Sequence, residues 1–232
     1  MKLPKLILTL TLLSFFTKSE AQHVDEIINN HIKAIGGDVA WKKITSIRFE
    51  YVIDNGSSWE MDMIIVQGKG LKRTSYIGGM KGYTIFTPTV GYNFYPWGRQ
   101  QKPETITPED LKMNEDNLDI QGPLIDYKAK GHAAEYIGMD EFEGTDCYKI
   151  KLTERSGKII TYFIDPSNYF VIHSATITNS NGRESEDDSD FSNYKKLPEG
   201  VWVPMNLGRT VKVKKVEVNI PVDENVFKPS DN

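Results

Sequence analysis

The residues in this 232-residue chain with most chemical capability are few and scattered. His23, His31, His132 and His173 form no pair at metal-ligand spacing. Cys147, the sole cysteine, has no basic neighbour in sequence to lower its pKa and reads as a small core hydrophobe. The run ESEDDSD (184–190) could attract calcium through its carboxylates. It lacks the glycine and the ligand alternation of a calcium loop, and a strand edge this charged also serves solubility. There is no G-x-S-x-G elbow and no glycine loop to cradle a phosphate. The expectation is a protein that is not an enzyme and takes no metal or cofactor. What remains is the chemistry of apolar contact. Ile47, Phe49 and Tyr51 alternate along one segment, and Trp59, Met61, Met63 and Ile65 along the next. Such a set lines an apolar cavity, Met adapting to irregular guests, or it packs into plain core. Both readings stay open at this level.

The elements that must position these side chains begin after an unusual start. MKLPKLILTLTLLSFFTKSEAQ has a basic n-region (Lys2, Lys5), an apolar run from Leu6 to Phe16, and small residues Ser19 and Ala21 at the −3 and −1 positions of a cleavage site. Residues 1–21 are predicted to be a secretory signal peptide, the apolar run being too short to span a bilayer. No cysteine stands beside the cleavage site to carry a lipid, so the expectation is a soluble periplasmic protein starting at Gln22. Without residues 1–21 the chain has 25 basic against 31 acidic residues, which argues against nucleic acid or an anionic membrane as partner. A lone cysteine leaves no intramolecular disulfide, so a hydrophobic core must hold the fold. Residues 22–232 read as one domain.

Val24, Ile27, Ile28, Ile32 and Ile35 recur at helical spacing, and Gly36-Gly37 stops the helix. A shorter helical stretch covers Val39 to Lys43. From Ser46 the period becomes two, with Asn55-Gly56, Ser156-Gly157 and Asn181-Gly182 as hairpin turns. Ten or eleven antiparallel strands follow, among them 133–140, 146–154, 158–165, 169–179, 183–194 and 208–219. The strand at 158–165 is apolar on both faces, so something must cover each side. A sheet this wide curls or packs on another layer. The fold class is mainly β (α+β).

Residues from about 105 to 130 interrupt the strand pattern. Thr107 is an N-cap with Pro108 at the first helical position, and Glu109 and Asp110 favour the positive helix end. A helix over 107–118 and a second short helix from Pro123 through Leu124, Ile125 and Tyr127 are predicted to form a lid. Leu111, Leu118, Leu124 and Ile125 would hold it by apolar contact.

The segments GTDCYKIKLTERSGKIITYFIDPSNYFVI, SDFSNYKKLPEGVWVPMNL and VEVNIPVDENVFKPS, with TIFTPTVGYNFYPW running into TPEDLK, together resemble the outer-membrane lipoprotein-sorting family of LolA-like carriers. The resemblance spans roughly residues 24 to 230. It implies a large curled antiparallel sheet, an unclosed half-barrel, with the N-terminal helix and the inserted lid on its concave side. It implies that the cavity receives the acyl chains of lipoproteins, or related lipids, on their way to the outer membrane. The partners implied are an inner-membrane releasing complex and an outer-membrane receptor, with the carrier a monomer. A strand arginine anchors the lid in such carriers. Arg73 in GLKRTSYI is the best match and Lys72 the alternative. The competing reading is a periplasmic sensor that uses the same half-barrel to detect lipoproteins or envelope stress.

Overall fold

The computed structural model describes residues 23–180 and 182–230; the segment read as a signal peptide lies outside them. The chain opens with helix α1 (residues 23–34), whose Val24, Ile27 and Ile28 are buried as the helical spacing requires. One turn of helix, α2 (Asp38–Trp41), follows. Then come β1 (Ser46–Asp54), β2 (Ser58–Val66), β3 (Gly70–Ile77), β4 (Met80–Phe86), β5 (Gly91–Phe94) and the two-residue β6 (Glu104–Thr105). Helix α3 (Pro108–Met113) and a 3-10 turn (Glu115–Leu118) form the interruption. The return set is β7 (Ala133–Phe142), β8 (Thr145–Thr153), β9 (Ile159–Ile164), β10 (Val171–Ser180), β11 (Arg183–Lys196), β12 (Trp202–Leu207) and β13 (Val211–Val218).

All thirteen strands join one antiparallel sheet in the order β6-β5-β4-β3-β2-β1-β13-β12-β11-β10-β9-β8-β7. The chain therefore starts at the centre, meanders out to the β6 edge, crosses to the β7 edge, and meanders back until β13 pairs with β1. The central seam is stitched at its end by Thr45 N–H donating to Asn219 Oδ1 (2.9 Å) and Ser46 Oγ donating to the Ile220 carbonyl (2.7 Å).

The sheet is curled and unclosed, as expected. Strands β2 and β9 are six steps apart, which in a flat sheet is ~29 Å at ~4.8 Å per strand. Yet Met63 of β2 and Tyr162 of β9 line one cavity. The concave face holds the core. One cluster joins Ile47, Ile65, Leu71 and Phe86 to Leu118, Ile120 and Ile125 of the crossing segment. A second joins α1 to Leu124, Tyr127, Ile150, Leu152, Ile160 and Ile164, and Ile32 packs against both. This explains why β9 is apolar on both faces. Ile160, Tyr162 and Ile164 meet α1 inside, whereas Phe163 packs outside with Phe142 and His173 (ring centroids 6.0 and 4.9 Å).

Two features depart from the sequence reading. The described residues hold thirteen strands rather than ten or eleven, because β6 is too short to show a period and β12 hides behind Pro204, a residue that normally marks an edge or a break. Residues 123–130 form successive turns, not a helix: Gly122 (φ 75°) and Asp126 (φ 53°) both sit in the left-handed region, which no right-handed helix contains. The predicted helix over 107–118 is present as α3 followed by the 3-10 turn, and Thr107 Oγ1 accepts from Asp110 N–H (3.1 Å).

Gly36 fixes how α1 enters this frame. It has φ 113°, and a Cβ there would lie 2.5 Å from the Gly200 carbonyl oxygen. Next to it, Trp202 N–H donates to the Ile35 carbonyl (2.9 Å), tying the helix end to β12. Gly36→Ala should cost about 2–3 kcal/mol through backbone strain and overpacking, read as a lowered denaturation midpoint with unchanged slope.

Candidate apolar binding site

Cross-strand partners share a face, so the inward side of β1 and β2 is a ladder of four rungs: Ile47–Ile65, Phe49–Met63, Tyr51–Met61 and Ile53–Trp59. The β1/β2 register runs unbroken; the one irregularity of β1, beside Glu50, lies on its β13 side. Ile47, Phe49, Tyr51 and Ile53 therefore stay on one face with Ile65, Met63, Met61 and Trp59 along the whole pair. The rungs do different things, however. The crossing segment fills the Ile47–Ile65 rung with Leu118, Ile120 and Ile125. At the far end Trp59 and Met61 pack into a cluster with Tyr51, Ile53 and Val213. Between them a cavity of about 330 Å³ remains, and Phe49, Tyr51 and Met63 are the members of the predicted set that line it. Ile47 and Ile65 do not, because their inward space is already occupied, and Trp59 and Met61 lie outside the lining, only partly buried.

The opposite wall is one the sequence reading did not identify. Tyr162, Val171, Phe191, Tyr194, Trp202 and Leu207 form it, with His31, Ile35 and Trp41 from the N-terminal helices. Phe191 and Tyr194 are three apart and would face opposite ways on a regular strand. Asn193 between them has φ 55°, which breaks the alternation and brings both rings to the cavity. Phe170 stacks on Tyr194 (4.3 Å) and Tyr194 Oη donates to the Val171 carbonyl (2.7 Å), fixing that wall. Among the described residues no lysine, arginine, aspartate or glutamate lines the cavity, although the Arg73 charge is close enough to act on the lining Tyr51 hydroxyl. The only charge-capable ring with a low ordinary pKa is His31, and burial pushes its pKa down.

The segment from 106 to 132 roofs this space. Leu124 and Ile125, with Gln121, Gly122 and Pro123, face the cavity, whereas Leu118 is buried in the adjoining core and Leu111 packs against it. Both walls hold the roof. On the β2–β3 side Gly68 N–H donates to the Leu118 carbonyl (2.9 Å). The Gln67 amide there works in both directions: Nε2 donates to Asp119 Oδ1 (2.9 Å), and Oε1 accepts from Ile120 N–H (2.7 Å). On the other side Ser180 Oγ donates to Asp110 Oδ1 (2.6 Å), and Arg155 donates to Glu115 Oε1 (2.9 Å). Tyr127 Oη donates to Asp25 Oδ1 of α1 (2.6 Å).

Arg73 is not among these ties. Its Cα is paired with Met63, so it stands on the concave face, but its side chain is exposed and makes no hydrogen bond among the described residues. The roof docks at the β2–β3 turn, over Leu71, one inward position short of Arg73. Lys72 points to the other face, where Nζ donates to the Val226 carbonyl (3.1 Å) and lies over the Tyr83 ring. Gln67 takes the place expected of the arginine. Its only sequence signal is its position, next to Gly68 in a turn.

A buried ionisable cluster sits where the 3-10 turn meets the β8–β9 turn. Glu154 is buried with Lys158 Nζ at 3.1 Å and Asp116 beside it. Burial, with the Asp116 carboxyl adding and Lys158 opposing, pushes the Glu154 carboxyl up to about 7. Arg155 N–H donates to His132 Nδ1 (3.1 Å), so the proton of this buried ring is on Nε2, 3.8 Å from Asp116 Oδ1. Burial lowers the His132 pKa. With Glu154 protonated, only one carboxylate faces the turn.

No protein-family model matches the chain, and no curated protein matches it. Solved structures do. A LolA superfamily protein from Nitrosomonas europaea superposes with TM-score 0.55 at 9% identity, covering 88% of this chain and 97% of the other. A structure described as an outer membrane lipoprotein-sorting protein domain from Vibrio parahaemolyticus gives 0.51 at 14%, covering 89% and 97%. A DUF1329 family protein from Desulfovibrio piger gives 0.53 at 14%, covering 88% and 97%. At these identities the likeness is one of fold: the chain has the LolA-type curled sheet over nearly its full described length.

Two outcomes follow for the roof. Gln67→Ala removes two hydrogen bonds and should weaken docking by about 2 kcal/mol, on the order of thirtyfold faster amide exchange across 115–125, while Arg73→Leu leaves that exchange unchanged. The Glu154 contribution has a definite sign. Its folded pKa lies above the ordinary 4.5, so the stabilisation is complete below that value and is lost as pH rises through about 7. The thermal midpoint should therefore fall as pH is raised across that window, and Glu154→Gln should flatten the fall.

Proposed function

We propose that this chain is a periplasmic carrier that shields the acyl chain of a lipoprotein, or a related lipid, inside the half-barrel during transfer toward the outer membrane. The observation that carries the reading is the cavity: some 330 Å³ of apolar space with no charged lining side chain among the described residues, lying between a curled sheet and a roof tied to both its walls. Apolar burial supplies affinity for a chain, about 0.8 kcal/mol per methylene removed from water. The absence of charge among the lining side chains keeps that gain from being offset by desolvation. The roof supplies access. It is a turn-rich segment with few regular hydrogen bonds of its own, the kind of element that opens locally at lower cost than the strands beneath it. The lipoprotein-sorting description of one fold relative and the sequence motifs support the same reading. Handover would involve a releasing complex at the inner membrane and a receptor at the outer one. Nothing in this scheme requires bond-making chemistry, and Cys147, fully buried with its thiol pushed up by burial, is inert in it.

Native mass spectrometry of the protein purified from periplasm, with extraction of the bound material, is the direct test. A co-purifying acyl species is expected. A protein that is always empty and instead captures a peptide would replace the carrier by the sensor. Within the cavity, Met63→Glu should lower uptake of a neutral apolar fluorophore, since it puts a carboxylate into an apolar lining, and the loss should exceed about tenfold when Arg73, its cross-strand neighbour, is changed to Leu. Met61→Glu, off the cavity, should have a distinctly smaller effect at equal helix and strand content by circular dichroism.

A further inference from the structure

The concave face can be followed row by row across the paired strands. Ile47, Ile65, Leu71 and Phe86 make one row, and the roof covers it. The next row is Phe49, Met63, Arg73 and Thr84. Phe49 and Met63 line the cavity. Arg73 is the partner of Met63 across the β2–β3 pair, one strand spacing or ~4.8 Å away. It is also the first inward position of β3 beyond the roof, and its side chain is exposed. An apolar cavity and a solvated guanidinium therefore meet at this rim. The charge reaches the lining: burial raises the pKa of the Tyr51 phenol, and Arg73 opposes that rise.

Arg73 stands there without a counter-ion. Arg48, Arg155 and Arg209 have carboxylate oxygens at 3.1, 2.9 and 3.6 Å. Arg73 has no ion pair and no hydrogen bond among the described residues. Along its own row no carboxylate occurs before Glu104 of β6, three strands on and ~14 Å away. Beside it on β4 stands a donor instead. Thr84 is hydrogen-bonded, hydroxyl to hydroxyl, with Tyr95, a bond that uses one of their two hydrogens and leaves the other. A guanidinium offers five donors and no acceptor, in a fork that fits two oxygens of one carboxylate or phosphate. At about 330 Å³ the cavity is near the lower end of the ~300–1,000 Å³ usual for small-molecule sites, room for one chain with the roof in place. We propose that the cargo is a single-chain amphiphile with an anionic head, a carboxylate or a phosphate monoester, whose alkyl chain fills the cavity from Met63 and whose head sits on Arg73 at the rim. The proposal rests on the carrier reading and specifies the charge of the cargo's head.

The test is displacement of the neutral probe N-phenyl-1-naphthylamine from the purified protein by dodecanoate, dodecyl phosphate, dodecanol and dodecyltrimethylammonium. The four share a chain and differ in charge. At low salt both anions should displace the probe at about tenfold lower concentration than dodecanol, the worth of one charge-assisted hydrogen bond, and the cation should be weakest. Arg73→Leu should bring the anion-to-alcohol ratio toward one, and Arg73→Lys, which keeps the charge but not the fork, should retain part of it. Acetate and inorganic phosphate, the charge without the chain, should displace nothing. Equal displacement by the anions and dodecanol, an anion advantage that survives Arg73→Leu, or displacement by inorganic phosphate alone would overturn the proposal while leaving the carrier standing. Failure of the probe and of all four alkyl compounds to bind would remove the carrier reading and this one with it.

Discussion

Pairing β1 with β13 at the centre of the sheet forces the rest of the architecture. Because the first and last strands are neighbours, the chain must leave one edge of the sheet and return at the other, and the link between β6 and β7 has to cross. A crossing over the convex side would leave the concave apolar face open to water. Taken over the concave side, the same link buries Leu118, Ile120, Leu124 and Ile125 and becomes the roof. The cavity is thus a consequence of topology. It is the volume that neither the roof nor α1 reaches, bounded by the Ile47–Ile65 rung on one side and the Trp59 cluster on the other.

The roof's attachments divide into two kinds with different physics. The Gln67 amide and the Gly68 N–H bind backbone and side-chain groups of the roof through neutral or singly charged hydrogen bonds, which depend little on pH. The Glu154–Asp116–His132 cluster is the opposite case. There burial makes ionisation expensive, and the number of charges at the joint changes near neutral pH. An exposed pair such as Arg155–Glu115 adds orientation and little energy. The outer face follows ordinary surface rules, with Arg48 set among Glu50, Asp62 and Glu217 on neighbouring strands.

Much of this was legible locally. The 3.6-residue period of Val24, Ile27 and Ile28 announced α1, and Gly36-Gly37 its end. Alternation placed the strands and the inward phase of β1 and β2, and Thr107-Pro108 marked the start of α3. Where the reading missed, one residue overrode the period. Pro204 disguised β12, Asp126 turned a predicted helix into successive turns, and Asn193 sent Phe191 and Tyr194 to the same side. Backbone conformation at a single left-handed residue leaves almost no trace in hydrophobic pattern, since Asn and Asp are common in any loop.

The sequence by itself determined which side chains alternate to one face, where the chain turns, and that the sheet is wide enough to curl. Those properties depend on residues close together in the chain, and period and turn chemistry encode them directly. Tertiary structure alone decided which rung of the ladder stays empty, that Gln67 and not Arg73 holds the roof, and that His31 Nδ1 meets a backbone carbonyl. Each of these depends on a partner far away in sequence: Ile120 for Gln67, 53 residues on, and Tyr169 for His31, 138 residues on. A periodicity states the face a side chain presents. It cannot state what arrives from the other end of the chain to fill the space in front of it.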